Sequence, residues 1–165
     1  MPIPLRAASA ADAPLLARLN GPVQELHCEQ RPDWFQPTDP ADIAAWFTAQ
    51  LTRPGAHAWI AEVDGEPAGY VLALPVTRDA NPFAPARSWL ELDQIAVLPT
   101  FRRQGVARAL VARVIEHADA AGIPLVELAT WAFNTDAQRL FAAMGFKPRM
   151  MRFERHAPRV EPAAG

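Results

Sequence analysis

The sequence predicts an α/β (α+β) fold: a mixed, mostly antiparallel sheet with helices on both faces and a central βαβ unit. Three observations predict it. Strand-like and helix-like patterns alternate between residues 89 and 144. An Asp64-Gly65 pair between two apolar runs is the typical signal of an antiparallel hairpin. A strand, a helix and a further strand in close succession need a crossover connection, which makes the two strands parallel and the crossover right-handed.

The first half of the chain predicts one short strand and two helices. Residues 3–7 form the strand, and Ser9 to Asp12 has the spacing of a capping box. The first helix follows and ends near residues 20–21, before an irregular segment at 22–38. Asp39-Pro40 predicts an N-cap followed by proline at the first helical position. The second helix then carries apolar residues at helical spacing: Ile43, Trp46, Phe47 and Leu51.

The second half supplies the rest of the sheet. The hairpin joins a strand at 58–63 to one at 68–74, and a proline-rich loop follows. The predicted elements, in order, are the loop at 75–88, a strand at 89–98, a helix at 105–121, a strand at 125–131, a helix at 135–144 and a strand at 150–155. No linker composition interrupts this series, so we expect a single domain over 1–165 with a disordered tail at 157–165.

Composition narrows the function classes. The net charge of -2 gives no reason to expect nucleic-acid binding. No apolar run approaches the length of a membrane span, so we expect no membrane partner. The chain has one cysteine, Cys28, and its first residues lack the pattern of a signal peptide. These features predict a cytoplasmic location.

Two arginines and a glycine stand at the corner between a strand and a helix. The segment reads VLPTFRRQGVARAL, in which Arg102, Arg103 and Gly105 follow the strand and precede an apolar helix. A helix start leaves backbone N–H groups without partners and carries partial positive charge, so such a corner can bind phosphate. The alternative is an ordinary solvated helix start that happens to be basic.

Two motifs together resemble those of the GNAT superfamily of N-acetyltransferases. Arg102-x-x-Gly105-x-Ala107 is similar to the family's Gln/Arg-x-x-Gly-x-Gly/Ala loop. The segment Asn134-x-x-Ala137-x-x-Leu140-Phe141-x-x-x-Gly145-Phe146 resembles its C-terminal signature, which has tyrosine where Phe141 stands. The resemblance covers nearly the whole chain and is strongest over 89–147.

The resemblance implies binding of acetyl-coenzyme A (acetyl-CoA) and no metal. The strand edge would pair with the pantetheine arm, and the Val97 amide would stabilise the oxyanion. Arg102 and Arg103 would reach phosphates. Asn134 would contact the cofactor arm or cap the last helix, or do both. The implied cofactor-binding residues are Ile95, Ala96, Val97, Arg102, Arg103, Gln104, Gly105, Val106, Ala107, Asn134 and Phe141.

An alkylamine is mostly protonated at neutral pH, so acetyl transfer to nitrogen needs a proton acceptor. Glu91 and Asp93 are two apart on a strand and should share one face, which Ile95 and Val97 continue. By resemblance, either carboxylate is a candidate base, Glu91 being the first choice; the alternative is two ordinary exposed acids. Phe141 cannot serve as an acid. Tyr70, the chain's one tyrosine, is the only tyrosine that could replace it, although a core position is the simpler interpretation.

The acceptor should be shaped by residues 22–38, the helix at 40–52 and the loop at 75–88. Three functions stay open: acetylation of a small-molecule primary amine through a ternary complex, acetylation of a protein N-terminus or lysine, and a non-catalytic CoA-binding module. The sequence also leaves a homodimer open. The aromatic and histidine candidates for the acceptor site are His27, Trp34, Phe35, Trp46, Phe83, Trp131 and Phe133.

Overall fold

The computed structural model describes residues 2–157, so all of the predicted tail at 157–165 except its first residue lies outside the described residues. Five strands and four α-helices alternate along this part of the chain. In order they are β1 (Leu5–Ala7), α1 (Ala13–Gln30), α2 (Pro40–Leu51), β2 (His57–Val63), β3 (Glu66–Arg78), β4 (Arg87–Val97), α3 (Val106–Ala120), β5 (Val126–Leu128) and α4 (Thr135–Ala143).

The strands form one sheet in sequence order, β1-β2-β3-β4-β5. The pairs β1–β2, β2–β3 and β3–β4 are antiparallel. β5 pairs with β4 in parallel, in the register Leu90 with Val126 and Leu92 with Leu128. The predicted mixed sheet, with its βαβ unit formed by β4, α3 and β5, is therefore confirmed.

Helices cover both faces of this sheet. One face packs against α3, whose Leu110, Val111 and Val114 are fully buried. The opposite face packs against α1 and α2, with Phe47 and Tyr70 fully buried between them and the sheet. Strand side chains alternate between the two cores, because successive residues of a strand point to opposite faces.

Local signals explain several boundaries. Asp64 and Gly65 both have positive φ, 52° and 81°, which is the geometry of a two-residue hairpin turn. The Asp39 carboxylate accepts a hydrogen bond from the Ala41 amide at 2.7 Å, with Pro40 at the first helical position. These two predictions from local sequence are confirmed.

The predicted end of the first helix at residues 20–21 is wrong. α1 continues through Pro22 to Gln30, so much of the segment predicted to be irregular is helical. A proline inside a helix removes one backbone hydrogen bond and costs about 3 kcal/mol. Tertiary contacts offset this cost, because Val23 packs against the core between α1, α2 and the sheet.

β3 and β4 extend further than predicted. β3 runs through Pro75 to Arg78, and Pro75 lies opposite Leu90 of β4. The pairing of β2 with β3 ends at His57 and Ala73, so β3 has only one neighbour at Pro75. The Pro75 nitrogen faces the side of β3 that has no neighbouring strand. No ladder hydrogen bond is lost there, so the sheet tolerates a proline at this position.

The strand predicted at 150–155 is absent, and the one predicted at 125–131 is shorter, at Val126–Leu128. Side-chain ion pairs hold this last segment in place: Arg149 with Glu127, and Glu154 with Arg31. A three-residue β5 offers little edge for a further ladder. Among the helices of residues 2–157, none has the length and apolar character needed to cross a membrane.

Candidate active site

β4 has a free edge next to β5. The parallel ladder ends at Leu92 and Leu128, while β4 continues to Val97. On the opposite side of β4, the Leu98 amide donates to the Ala68 carbonyl at 2.9 Å. Because antiparallel ladders alternate, Ile95 and Val97 direct their backbone N–H and C=O groups away from β3, towards this free edge. The result is an open wedge that another extended chain can fill.

The free edge leads into a run of unpaired backbone amides at the start of α3. Within residues 2–157, the N–H groups of 103–108 have no hydrogen-bond acceptor; the first amide of α3 to find one is that of Ala109, bonded to Gly105. Arg103 and Gly105 have positive φ, 59° and 85°. A Cβ added at Gly105 would meet nothing nearer than Ile3 Cδ1 at 3.8 Å, so the backbone conformation, and not packing, calls for glycine.

A cleft of about 510 Å³ opens beside the wedge, between α1 and α2 on one side and the ends of β4, β5 and α4 on the other. It brings together four of the residues that the sequence singled out for the site: Asp93, Ile95, Asn134 and Phe141. Ala96 and Val97 continue along the β4 edge, and residues 102–107 form the turn at its end.

Glu91 lies outside this cleft. The ladder between β3 and β4 shifts register between Leu72 and Ala73, so that Asp93 is an extra residue in β4. A bulge of this kind reverses the alternation of side chains that follow it. Ile95 and Val97 therefore pack against the core that includes α3, and Ile95 also borders the cleft, so the expectation that they continue the face of Glu91 is wrong.

The two carboxylates have different surroundings. Glu91 accepts a hydrogen bond from Trp89 Nε1 at 2.7 Å. Asp93 lines the cleft with no hydrogen-bond partner among the described residues. The Asp93 side chain stays exposed to solvent in the cleft. Its partial desolvation, followed by the negative charge of Glu91, raises the pKa of Asp93 above its usual range, while Arg53 acts in the opposite direction. A carboxylate with a raised pKa is a better proton acceptor near neutral pH.

A buried polar network forms the floor of the cleft. Asn20 Nδ2 donates to the Tyr70 hydroxyl at 2.9 Å, and that hydroxyl donates to Gln94 Oε1 at 2.8 Å. Burial, the largest cause, raises the pKa of Tyr70. Tyr70 is fully buried, as its core interpretation predicts. Sequence reasoning missed Asn20 and Gln94. The signal that could have identified them is a polar residue at a position where the pattern of a helix or strand is otherwise apolar.

The two candidates on α4 lie on the same side of the cleft. Asn134 Oδ1 accepts a hydrogen bond from the Ala137 amide at 3.3 Å, so Asn134 caps α4. Its Nδ2 group makes no hydrogen bond within the described chain. Phe141 is buried, packs edge-on against Phe146 and lines the cleft.

The aromatic candidates divide into two groups. His27, Phe35, Trp46 and Trp131 line the cleft. Trp34 and Phe133 do not, and they pack against Trp131 from outside. Phe83 is 97% exposed at the β3–β4 turn, and none of residues 75–88 lines the cleft, so the expectation that this segment shapes the acceptor site is wrong. In residues 2–157, no group of three metal-ligating side chains could hold a metal ion.

Comparisons with known proteins agree with this geometry. The model of the Acetyltransferase (GNAT) family matches residues 22–146. N-acetyltransferase 8 of Rattus norvegicus is 36% identical over 110 residues, 67% of this chain and 46% of that protein. This chain thus spans about half the length, or less, of the curated relatives that it matches.

Two solved structures share the fold. A tetramutant of the BH1408 protein from Bacillus halodurans superposes with a TM-score of 0.86 at 22% identity, over 93% of this chain and 99% of that one. Aminoglycoside N-acetyltransferase AAC(6')-Iy, solved in complex with CoA, gives a TM-score of 0.69 at 22% identity, over 94% and 95%. With the family match extending over residues 22–146, most of the sheet and both motifs, the chain belongs to the GNAT acetyltransferase family.

Proposed function

We propose that this chain is an N-acetyltransferase that moves the acetyl group of acetyl-CoA to a primary amine of a small molecule, by direct attack in a ternary complex. One observation carries the proposal. The unpaired amides of residues 103–108 lie at the end of the free β4 edge, so an anion-binding turn and a strand-pairing edge are continuous. A cofactor with a pyrophosphate and a long amide-bearing arm fits both features.

The backbone would hold this cofactor. Amides at a helix start bind phosphate through hydrogen bonds and the helix dipole, and the positive φ of Arg103 and Gly105 aims successive N–H groups outward. Arg102 and Arg103 add charge. Ile95 and Val97 would pair with the pantetheine arm, and the Val97 amide would stabilise charge on the carbonyl oxygen. Acetyl-CoA supplies the activated thioester when bound.

The chemistry needs a neutral acceptor nitrogen. Asp93 would take a proton from the ammonium group, directly or through water. The nitrogen lone pair then forms the C–N bond to the acetyl carbon, and the C–S bond breaks with its electron pair on sulfur. The second nitrogen proton passes to water. We propose Asp93 ahead of Glu91, since Asp93 lines the cleft.

Among residues 2–157, no side chain stands out as an acid for the leaving thiolate. Phe141 replaces the usual tyrosine, and the fully buried Tyr70 hydroxyl already donates to Gln94. A thiol with a pKa near 8.5 leaves as thiolate without assistance and takes its proton from water. The mechanism therefore does not require a side-chain acid.

Two other functions compete with this one: acetylation of a protein terminus or lysine, and CoA binding without catalysis. A small acceptor is favoured because the 31–38 loop and the loop after β5 meet on one side of the cleft. There the ring centroids of Phe35 and Trp131 are 5.3 Å apart. Asp93 in the cleft favours catalysis. A cytoplasmic location remains a prediction from the sequence, and a homodimer stays open.

Release of CoA during incubation with acetyl-CoA tests the function. The acceptors are a panel of small primary amines and a panel of peptides with free N-termini or lysines. We expect turnover with small amines and mass gain of one acetyl group. Turnover limited to peptides would support the protein acetyltransferase, and tight acetyl-CoA binding with no turnover on either panel would support the binding module.

A further inference from the structure

The cleft is negatively charged. Its lining includes two carboxylates, Asp42 and Asp93, and, within residues 2–157, no lysine or arginine. Its one histidine, His27, has a pKa lowered by burial, so the ring is neutral at neutral pH. A ligand that carries a positive charge is attracted to such a site, and a carboxylate on the ligand is repelled.

The arginines near the cleft are engaged elsewhere. Arg31 donates two hydrogen bonds to Asp33, at 2.9 and 2.8 Å, and one to Glu154 at 3.0 Å, with its guanidinium over the Trp131 ring at 4.9 Å. Arg53 bonds to Gln50 and lies outside the lining, although its charge lowers the pKa of Asp93. A ligand carboxylate in the cleft would therefore find no free cation among the residues that the structure describes.

The remaining wall is aromatic. Phe35, Trp46 and Trp131 line the cleft, and Trp46 is 39% exposed. An exposed tryptophan that borders a concave site offers a large apolar surface to a ligand. Aromatic faces also attract cations, so the same wall favours an ammonium group and an apolar body.

The floor adds a neutral hydrogen-bond acceptor. The amide nitrogen of Asn20 makes the hydrogen bonds, and its Oδ1 makes none to the described residues. Every fully buried side-chain oxygen or nitrogen of these residues has a hydrogen-bond partner, so an oxygen without one cannot be fully buried. Asn20 Oδ1 must therefore reach solvent, which at this position is the cleft. An oxygen of this kind accepts hydrogen bonds from ammonium and repels a carboxylate.

We infer that the acceptor is a primary alkylamine that carries an apolar, preferably aromatic, group and no carboxylate. This inference rests on the proposed function and names the substrate class of the same site. The ammonium group faces Asp93 and Asn20, and the apolar group lies against Phe35, Trp46 and Trp131. Free amino acids are excluded because their carboxylate would enter an acidic cleft.

Matched amines test the inference. 2-Phenylethylamine and phenylalanine share the amine and the ring and differ in the carboxylate, while propylamine lacks both ring and carboxylate. With saturating acetyl-CoA, we expect kcat/KM to be highest for 2-phenylethylamine and at least about tenfold lower for each of the other two. Equal or better turnover of phenylalanine or propylamine would overturn the assignment, as would turnover of peptides alone.

A charge reversal supplies the matched variant. Asp42 is exposed in the first turn of α2, so Asp42→Arg should fold normally while placing a cation at the cleft. The variant should lower the ratio of kcat/KM for 2-phenylethylamine to kcat/KM for phenylalanine. An unchanged ratio would show that cleft charge does not select the acceptor.

Calorimetry with acetyl-CoA alone separates the two levels. If the wild-type chain does not bind acetyl-CoA, both the proposed function and the substrate class are overturned. Binding of acetyl-CoA with a preference for amino acids would leave the proposed function intact and overturn only the acceptor assignment.

Discussion

Asp93 and Glu91 are two residues apart in β4, and their side chains have different surroundings. Glu91 is held by the Trp89 indole outside the cleft, whereas Asp93 lines it. At the residue scale this difference assigns a candidate base that sequence spacing alone could not choose.

Asp93→Asn should lower kcat/KM for the amine by at least about tenfold near neutral pH, since general base catalysis typically contributes about 10²–10⁴-fold. The deficit should shrink as pH rises, because solvent then deprotonates the amine. Glu91→Gln is the matched control and should lose much less. pH–rate profiles of both variants test which carboxylate is the base. A larger loss of kcat/KM in Glu91→Gln than in Asp93→Asn would assign the base to Glu91 instead.

Phe141→Tyr restores the family's usual hydroxyl on a ring that already lines the cleft. If departure of the thiolate limits the reaction, turnover should rise severalfold, because the phenol can donate a proton to sulfur. We expect this rise, with little change in KM for acetyl-CoA. Steady-state kinetics at saturating amine checks it, and unchanged turnover would mean that another step is limiting.

At the scale of one element, α3 has a glycine with positive φ at each end. Gly105 precedes it with φ 85°, and Gly122 follows it with φ 67°. A side chain at either position pays the cost of a left-handed backbone, about 1–2 kcal/mol. Only Gly105 belongs to the run of unpaired amides.

Gly105→Glu should therefore weaken acetyl-CoA binding by at least about tenfold, because the carboxylate repels the pyrophosphate at the amide turn. Gly122→Glu should lower stability to a similar extent and leave binding unchanged. Titration calorimetry and thermal unfolding of both variants separate the two effects. Unchanged affinity in Gly105→Glu would contradict the phosphate assignment.

At the scale of the whole molecule, a histidine pair joins α3 to the sheet on the face away from the cleft. The rings of His57 and His117 have centroids 4.0 Å apart, next to Trp59, and Arg113 lies over Trp59 at 5.0 Å. Burial, then the charge of Arg113, lowers the pKa of His57. Burial, then His57 and Arg113, lowers the pKa of His117.

A lowered pKa in the folded state makes stability depend on pH. Unfolded histidines take up protons near pH 6.5, above the pKa of these two rings in the folded protein. Above pH 6.5 both rings are neutral in the folded and the unfolded protein, so the full stability of the folded protein is present there. As pH drops below 6.5, the free energy of unfolding should fall.

The double variant His57→Gln, His117→Gln should reduce this decline between pH 7.5 and 5.5, measured by denaturant unfolding. Its packing cost is read separately at pH 9, where no histidine is protonated. A slope equal to that of the wild type would show that the pair does not carry the pH dependence.

Features set by neighbouring residues could be predicted from the sequence. The turn at Asp64-Gly65, the cap at Asp39 and the Arg102–Ala107 corner each need only a few adjacent residues, because turn geometry, capping and helix dipoles act over short distances. The alternation of elements also determined the βαβ unit and the antiparallel hairpin. Together with two spaced motifs, these gave the family.

Tertiary structure decided the rest. The continuation of α1 through Pro22 depends on packing against α2 and the sheet, which offsets a local cost. The bulge at Asp93 depends on the register between β3 and β4, and it places Ile95 and Val97 on the opposite face from Glu91. The absent last strand depends on how short β5 is. Each of these is set by residues far apart in the chain, whose contacts no local pattern records.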